Sequence, residues 1–405
     1  MLERRSSARV VQMKAYVLGA GVSNTVGYPL ARELFDDIGA FLARVEADEA
    51  DAALAREWRE VCEWLNNNPD PLLADAYRTK DLEAVLTVLD LAWILFLHRL
   101  HALAVRQGGI RLASTVVLDN ETKSVQSLME PHRRAHRVIL RGLEAYLRFK
   151  HQEGLSAFPG ADWQWLRRFA SKLGPGDFVI TLNYDATVEK ALLDRGMWNP
   201  EDGYGFRVGL PESEAGPLPV DWPPSRVTVV HLHGAGGWRA RPFHYFPIAE
   251  AGWYPPPPDY EQLAGAAGAE PISLDYRFLR GLGVEVHDPS RHRGRGPDEY
   301  EVLLYPSFIK AFGWEGRSAI LVKVWRLAAE ALRNAEGVTV IGYSLPEADA
   351  AARTLLLTNC DPEKLTVVNK DREAVRRVWR LFKPFTLRDG PKSFEEWLDE
   401  VPDPS

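Results

Sequence analysis

The chain has 405 residues, more than one minimal domain needs, and can bury a large core. Its apolar and charged fractions, 46% and 26%, are those of an ordinary soluble protein, and its net charge of −7 argues against a dedicated nucleic-acid-binding protein. Its two cysteines, Cys62 and Cys360, have no nearby partner in the sequence, so neither a disulfide framework nor a zinc site is supported. We therefore expect no bound metal and a cytoplasmic location.

Neither the N-terminal residues nor the most apolar stretch of the sequence predicts a membrane segment. The basic residues 1–9 precede an apolar run that Gln12 and Lys14 interrupt, which is not the pattern of a secretory signal. The most apolar stretch, Leu91–Leu97, is far shorter than the roughly 20 residues that cross a bilayer. We expect no membrane association and interpret residues 1–13 as a tail.

The first predicted strand ends in closely spaced glycines and then opens a helix. Such a loop lets backbone N–H groups approach a phosphate, so the candidate nucleotide-binding residues here are Gly19, Ala20, Gly21 and Ser23. Asn24 stands where the third glycine of G-x-G-x-x-G belongs, and a plain strand-to-helix turn would look similar. On these residues alone, both interpretations stay open.

A long segment with helical periodicity follows. Apolar spacing predicts a helix from Pro29 to Ala47 whose apolar face packs on the sheet. Residues 48–165 show little strand character and are interpreted as an all-helical insertion in the first crossover, with Gly108–Gln126 as a mobile connection. Within it, Glu83 lies in the first turn of a predicted helix, where the helix dipole favours an acidic residue.

Polar side chains close the next two predicted strands. Asp185 occupies a helix N-cap position, so capping alone would account for it, whereas Asn183 at the end of a buried strand needs partners and is expected to contact a ligand. In the strand Arg226–Leu232, alternation places His231 and His233 on one face. His233, the first residue of a predicted flexible turn at 233–237, is the better catalyst, and His231 the better core histidine.

The last part of the chain predicts a β-α-β unit. A strand at 338–342, a helix from Pro346 to Leu357 and a strand at 365–369 carry further candidate ligand-binding residues, Gly342, Ser344 and Asn369. Residues 239–297 form a second, irregular insertion with a proline run, Pro255–Pro258.

Together the predicted elements describe a Rossmann-like α/β fold, a parallel sheet with helices on both faces and a large all-helical insertion. The sheet domain comprises residues 14–47 and 166–390, and residues 391–405 are a tail. Ligands of such folds bind beyond the carboxyl ends of the strands, so the polar strand ends are expected to converge there.

In this order, the segments resemble the sirtuin superfamily. The matching motifs are its GAG-x-S loop (Gly19–Ser23), its Asn-x-Asp (Asn183, Asp185), its catalytic His-Gly (His233, Gly234), its ribose-binding Gly-x-Ser (Gly342, Ser344) and its adenosine-binding Asn (Asn369). The sequence lacks the four zinc-binding cysteines of sirtuin deacylases and has Leu182 in place of their Gln. It is thus more similar to zinc-free bacterial sirtuin-like proteins, many of which are NAD-hydrolysing antiphage effectors. In these, a segment like the one around Glu83 lies beside the active cleft.

This resemblance implies an NAD glycohydrolase that releases nicotinamide and ADP-ribose without a metal. The glycine loop would hold phosphate, Asn183 would position water or ribose, His233 would act as the base, Asp185 would hold the nicotinamide or ribose side, and Ser344 and Asn369 would bind the adenosine half. The alternatives are an NAD-dependent protein deacylase or ADP-ribosyl transferase, and a non-catalytic module that senses NAD or ADP-ribose. A partner or trigger protein and a homo-oligomer stay open, and no nucleic acid is expected.

Overall fold

A computed structural model describes residues 13–30, 33–45, 49–92, 115–118, 121–157, 163–209, 222–240, 272–274, 279, 282, 300–303, 318–346, 349–382 and 392–402. Its strands are β1 (Lys14–Leu18), β2 (Thr115–Leu118), β3 (Glu121–Ser124), β4 (Phe178–Thr181), β5 (Thr228–His231), β6 (Gly234–Ala240), β7 (Ile272–Leu274), β8 (Tyr300–Leu303), β9 (Gly337–Ile341) and β10 (Leu365–Val368). Its helices are α1 (Ala20–Ser23), α2 (Leu34–Val45), α3 (Glu49–Asn66), α4 (Pro71–Arg78), α5 (82–92), α6 (Val125–Ala157), α7 (Gln164–Lys172), α8 (Thr187–Leu193), α9 (Ser318–Asn334), α10 (Ala350–Asn359), α11 (Arg372–Leu381) and α12 (Phe394–Glu400).

Five parallel strands form the central sheet, in the order β10-β9-β1-β4-β5. Their residues are short apolar runs, buried almost without interruption, as expected of a parallel sheet that helices cover. The chain builds outward from β1 through β4 to β5 and then returns to the other side of β1 with β9 and β10. The order therefore reverses between β1 and β9, and the predicted Rossmann-like α/β fold is confirmed.

The C-terminal segment belongs to the core of this sheet. The ring of Tyr16 in β1 packs edge-on against Phe169 in α7 and Trp397 in α12, with centroids 5.4 and 6.2 Å apart. A capping box between Ser393 and Glu396 starts α12. The interpretation of residues 391–405 as a tail is thus wrong for 392–402, because the aromatic face of α12 completes the main core.

A second hydrophobic core joins α2 to the insertion. Phe35 in α2 contacts the rings of Trp58 and Tyr77, at 5.1 and 5.8 Å between centroids. The buried face of α2 consists of Leu34, Phe35, Ile38, Phe41 and Leu42, all of which belong to this core. The expectation that this face packs on the sheet was wrong, because periodicity identifies an apolar face but not its partner.

Two stretches that were predicted to be irregular contain strands. Within the insertion, β2 and β3 pair as an antiparallel hairpin inside the predicted connection, so the insertion is mostly but not entirely helical. The flexible turn predicted at 233–237 is a turn only at His233, and the rest of it is the start of β6, which pairs with β7 and β8 in an antiparallel sheet.

Other predicted features lie outside the described residues. These are residues 1–12, most of the apolar stretch at 91–97, the start of the predicted connection at 108–114 and the proline run at 255–258. Of the described helices, none is both long and apolar enough to cross a bilayer.

Candidate active site

Two loops meet at the point where the strand order reverses. The N–H of Gly19 donates to the carbonyl of Ile341 at 3.0 Å, and the N–H of Gly21 donates to the carbonyl of Gly342 at 3.1 Å. The loop after β1 and the loop after β9 are therefore joined directly at the carboxyl edge of the sheet, where ligands of this fold class bind.

Close packing of these backbones requires the glycines. A Cβ atom on Gly19 would lie 2.5 Å from the Cα of Tyr343, and one on Gly21 would lie 2.9 Å from the carbonyl oxygen of Gly342. Gly342 itself has φ of +62°, in the left-handed region that glycine tolerates best. Packing alone thus accounts for all three glycines, and their phosphate-binding role stays a prediction.

Asn183 connects the end of β4 to the glycine loop. Its Nδ2 donates to the carbonyl of Gly19 at 3.1 Å and to the hydroxyl of Ser23 at 2.9 Å, while the residue is only 9% exposed. Both amide hydrogens are therefore used within the protein. The Oδ1 atom accepts no hydrogen bond from a described residue, which makes it the end of the amide that can receive a ligand.

Asp185 continues the same network. Its Oδ1 accepts from the backbone N–H of Thr187 at 3.1 Å and from its hydroxyl at 2.6 Å, and that hydroxyl lies 3.3 Å from the hydroxyl of Ser23. The N-cap of α8 is Ala186, which has no capping side chain, so the predicted N-cap position of Asp185 is one residue too early. One oxygen of Asp185 nevertheless binds the first residue of α8. Ser23, Asn183 and Asp185 share one hydrogen-bonded network.

His231 is a buried structural residue. Its Nε2 lies 2.5 Å from the Oε1 of Glu189, its Nδ1 donates to the carbonyl of Asn183 at 2.9 Å, and both side chains are fully buried. Burial acts to lower the pKa of His231, but the Glu189 carboxylate and the bonds to it and to Asn183 raise that pKa above 6.5. Sequence reasoning missed Glu189, although a carboxylate on the buried face of a short helix is itself unusual.

His233 lies apart from His231, in a different cluster. Because β5 ends at His231, the expected strand alternation does not continue to His233. The register pairs Thr181 with His231, so Asn183 and His233 each follow the same rung of adjacent strands by two residues. The His233 ring packs near that of Tyr184, at 6.0 Å between centroids.

Asp349 is a site residue to which the sequence assigned no role. Its Oδ2 lies 3.5 Å from the Nε2 of His233 and accepts the hydroxyl hydrogen of Tyr343 at 2.7 Å. Its Oδ1 accepts from the N–H of Ala352, so Asp349 caps α10, which begins four residues later than the predicted start at Pro346. Burial, then the charge and hydrogen bond of Asp349, raise the pKa of Tyr343 well above its usual range.

The two predicted adenosine-side residues differ in their surroundings. Ser344 is exposed, and its carbonyl accepts a hydrogen bond from Arg377 at 2.9 Å. Asn369 donates to the carbonyl of Tyr343 at 3.3 Å and accepts from the N–H of Asp371 at 2.9 Å. Both ends of the Asn369 amide are therefore hydrogen-bonded within the protein, and its contact with a nucleotide stays a prediction.

The second core borders this edge of the sheet. Tyr184, which contacts His233, packs against that core, and the charge of Glu83 in α5 contributes to the raised pKa of Tyr343. The pKa of Tyr28, which follows the glycine loop, is also raised. The causes are burial and then the charges of Asp185, in the candidate site, and Tyr146, in the insertion. The insertion thus lies beside the candidate site.

No protein-family model matches the chain, and a search of curated proteins finds no match either. Among the described residues, no group of three or more His, Cys, Asp and Glu side chains could hold a metal ion. The resemblance to sirtuin-like proteins therefore depends on the motif residues and on their placement along the sheet edge.

Proposed function

We propose that the chain is a sirtuin-like NAD glycohydrolase that cleaves NAD to nicotinamide and ADP-ribose. The observation that carries the proposal is the grouping of the glycine loop, Asn183 and His233 at the carboxyl edge where the strand order reverses. A dinucleotide lying across that reversal would reach both the β1 and β9 loops on one side and the ends of β4 and β5 on the other.

The proposed hydrolysis requires only a few protein groups. Breaking the nicotinamide–ribose bond passes through an oxocarbenium-like state, which needs a fixed ribose and a base that works near neutral pH. In this proposal the Oδ1 of Asn183 accepts a hydrogen bond from water or a ribose hydroxyl, and His233 takes the proton. The residues at Gly19–Ser23 hold the pyrophosphate, Asp185 lies on the nicotinamide or ribose side, and Gly342, Ser344 and Asn369 contact the adenosine half.

The resemblance supports the wider setting. It supports a reaction in antiphage defence that a partner or trigger protein starts, while the lack of paired cysteines supports a cytoplasmic location. The same site would serve a deacylase or ADP-ribosyl transferase if an acceptor replaced water, and it would serve a sensor of NAD or ADP-ribose if no bond were broken.

Product analysis separates these functions. The full chain is incubated with NAD, with and without an acylated peptide, and the products are resolved by chromatography. Free nicotinamide with ADP-ribose supports the proposal, a modified acceptor supports transfer, and intact NAD with measurable ADP-ribose binding supports the sensor.

A pair of histidine variants assigns the activity to this site. His233→Gln should abolish turnover and keep ADP-ribose binding within about threefold, because a base acts on the barrier and not on binding. His136→Gln is the matched control, since His136 also faces a carboxylate, Asp90 at 3.2 Å, but lies in the insertion. Equal turnover in both variants would contradict the assignment.

A further inference from the structure

Asp349 has two oxygens in two different roles. The Oδ1 caps α10 through the N–H of Ala352, and the Oδ2 faces the hydroxyl of Tyr343 and the Nε2 of His233. Capping does not require burial, since Asp371 caps α11 from an exposed position. Asp349 is only 3% exposed, and burying a carboxylate is costly unless donors surround it. Its buried Oδ2 and that atom's two neighbours therefore need an explanation beyond the cap.

The donor and acceptor pattern fixes how these groups are arranged. A carboxylate only accepts hydrogen bonds, so Tyr343 donates its hydroxyl hydrogen to Asp349. The Nε2 of His233 faces the same carboxylate at an ion-pair distance of 3.5 Å, which favours a proton on that nitrogen. In the neutral imidazole the lone pair is then on Nδ1. Among the described residues, the charged or titratable groups near this set include Glu83 and Arg353, both of which affect Tyr343, and Tyr184, whose ring packs near His233.

We infer that Asp349 is the positioning residue of the site, that it holds His233 with Nε2 protonated and Nδ1 as the basic nitrogen, and that Tyr343 holds Asp349. The inference rests on the proposed function, because it assigns the base within that reaction. Asp349 does not touch the substrate. It acts through His233, as a carboxylate that orients a catalytic imidazole does in other enzymes.

The test compares variants that keep the helix cap. Asp349→Asn and Asp349→Ser both retain a capping oxygen, but neither offers His233 a carboxylate. Both should lower kcat for NAD about 100-fold with KM within about threefold, because orientation of the base affects the barrier more than binding. The control is Asp361→Asn, which should leave kcat unchanged. Asp361 is an exposed cap just before the start of β10, at the amino ends of the strands and so opposite the candidate site.

A second set of variants tests the proposed order of contacts, in which Tyr343 holds Asp349 and Asp349 holds His233. Tyr343→Phe should lower kcat by a smaller factor, and the double variant with Asp349→Asn should lose no more than Asp349→Asn alone, since Tyr343 acts through that carboxylate. Losses that multiply would overturn the order. If the wild-type protein hydrolyses NAD and both Asp349 variants have the same kcat as wild type, the inference alone is overturned. If the wild-type protein leaves NAD intact, the proposed function is overturned together with the inference.

Discussion

The Nδ2 atom of Asn183 lies 2.9 Å from the hydroxyl oxygen of Ser23, a residue 160 positions earlier in the chain. A second hydrogen bond from the same nitrogen reaches the carbonyl of Gly19 at 3.1 Å. The residue predicted to act on the substrate therefore also holds the loop predicted to bind its phosphates. Under the proposed function, one amide group would therefore couple catalysis and binding.

The first prediction concerns Asn183→Ala. The sequence alone predicts lost hydrolysis with binding largely intact, but the two hydrogen bonds predict that ADP-ribose binding weakens as well. Removal of the amide removes two hydrogen bonds, each worth about 0.5–1.5 kcal/mol, and should cost about 1–3 kcal/mol of stability. Calorimetric titration with ADP-ribose and thermal unfolding measure the two effects.

Asn359→Ala provides the control for this prediction. The Asn359 amide donates to the Leu355 carbonyl near the end of α10, before β10 and so at the other edge of the sheet. It should leave ADP-ribose affinity unchanged. Wild-type affinity in Asn183→Ala would show that the amide does not hold the loop.

The second prediction concerns Gly21. Sequence reasoning expects a side chain at this position to fill the space of the pyrophosphate, whereas the structure places a Cβ 2.9 Å from the backbone oxygen of Gly342. Gly21→Ala should therefore destabilise the fold by about 1–3 kcal/mol even without a nucleotide. Gly337→Ala in β9, where an added Cβ meets nothing within 4 Å, should be neutral. Equal melting temperatures for the two variants would refute the packing argument.

The sequence predicted the elements of the sheet better than their partners. Apolar runs and glycines placed β1, β4, β5, β9 and β10 within a residue or two, because a buried parallel strand has a strong local signature. The partner of α2 could not be predicted, since an amphipathic helix packs equally well on a sheet or on other helices. The glycines at 234, 236 and 237 predicted a turn, but long-range pairing with β8 makes the segment a strand.

The residues of the candidate site likewise differ in how well the sequence predicts them. Asn183 and His233 were recognisable because a polar residue that ends an apolar strand is conspicuous. Asp349 was not, because the helix predicted from Pro346 places it within the first turn, and because its contact with His233 spans 116 residues. His231 was predicted to be a core histidine, but its partner Glu189 was not predicted, since only the folded chain brings the two side chains together.

The third prediction concerns the pH dependence of stability. The pKa of His231 is raised in the folded protein, so its contribution to stability is fully present below the unfolded value of about 6.5 and is lost as the pH rises through the folded pKa. The free energy of unfolding from denaturant titrations should therefore fall as the pH rises above about 6.5. The double variant His231→Gln with Glu189→Gln should lack this component, and His136→Gln should retain it. If the free energy of unfolding depended on pH in the same way in the wild type and the double variant, this prediction would be contradicted.

The fourth prediction is that purified protein contains no stoichiometric zinc. Cys62 packs against the second core, and Cys360 is buried in the core of the sheet, so the two thiols belong to different parts of the fold. A structural zinc site needs four ligands in one place. One zinc per chain by elemental analysis would contradict the prediction and favour the deacylase alternative.

The fifth prediction is that the insertion controls access to the nucleotide. Tyr184 links the second core to His233, and the charge of Glu83 at the start of α5 reaches Tyr343, so a ligand at the sheet edge would contact or displace α5. Saturating ADP-ribose should therefore slow amide hydrogen exchange in residues 82–92, while exchange in α9 stays constant as the internal control. Glu83→Gln should change the ADP-ribose on-rate more than kcat. Exchange in α5 that is indifferent to the nucleotide would refute a gating role for the insertion.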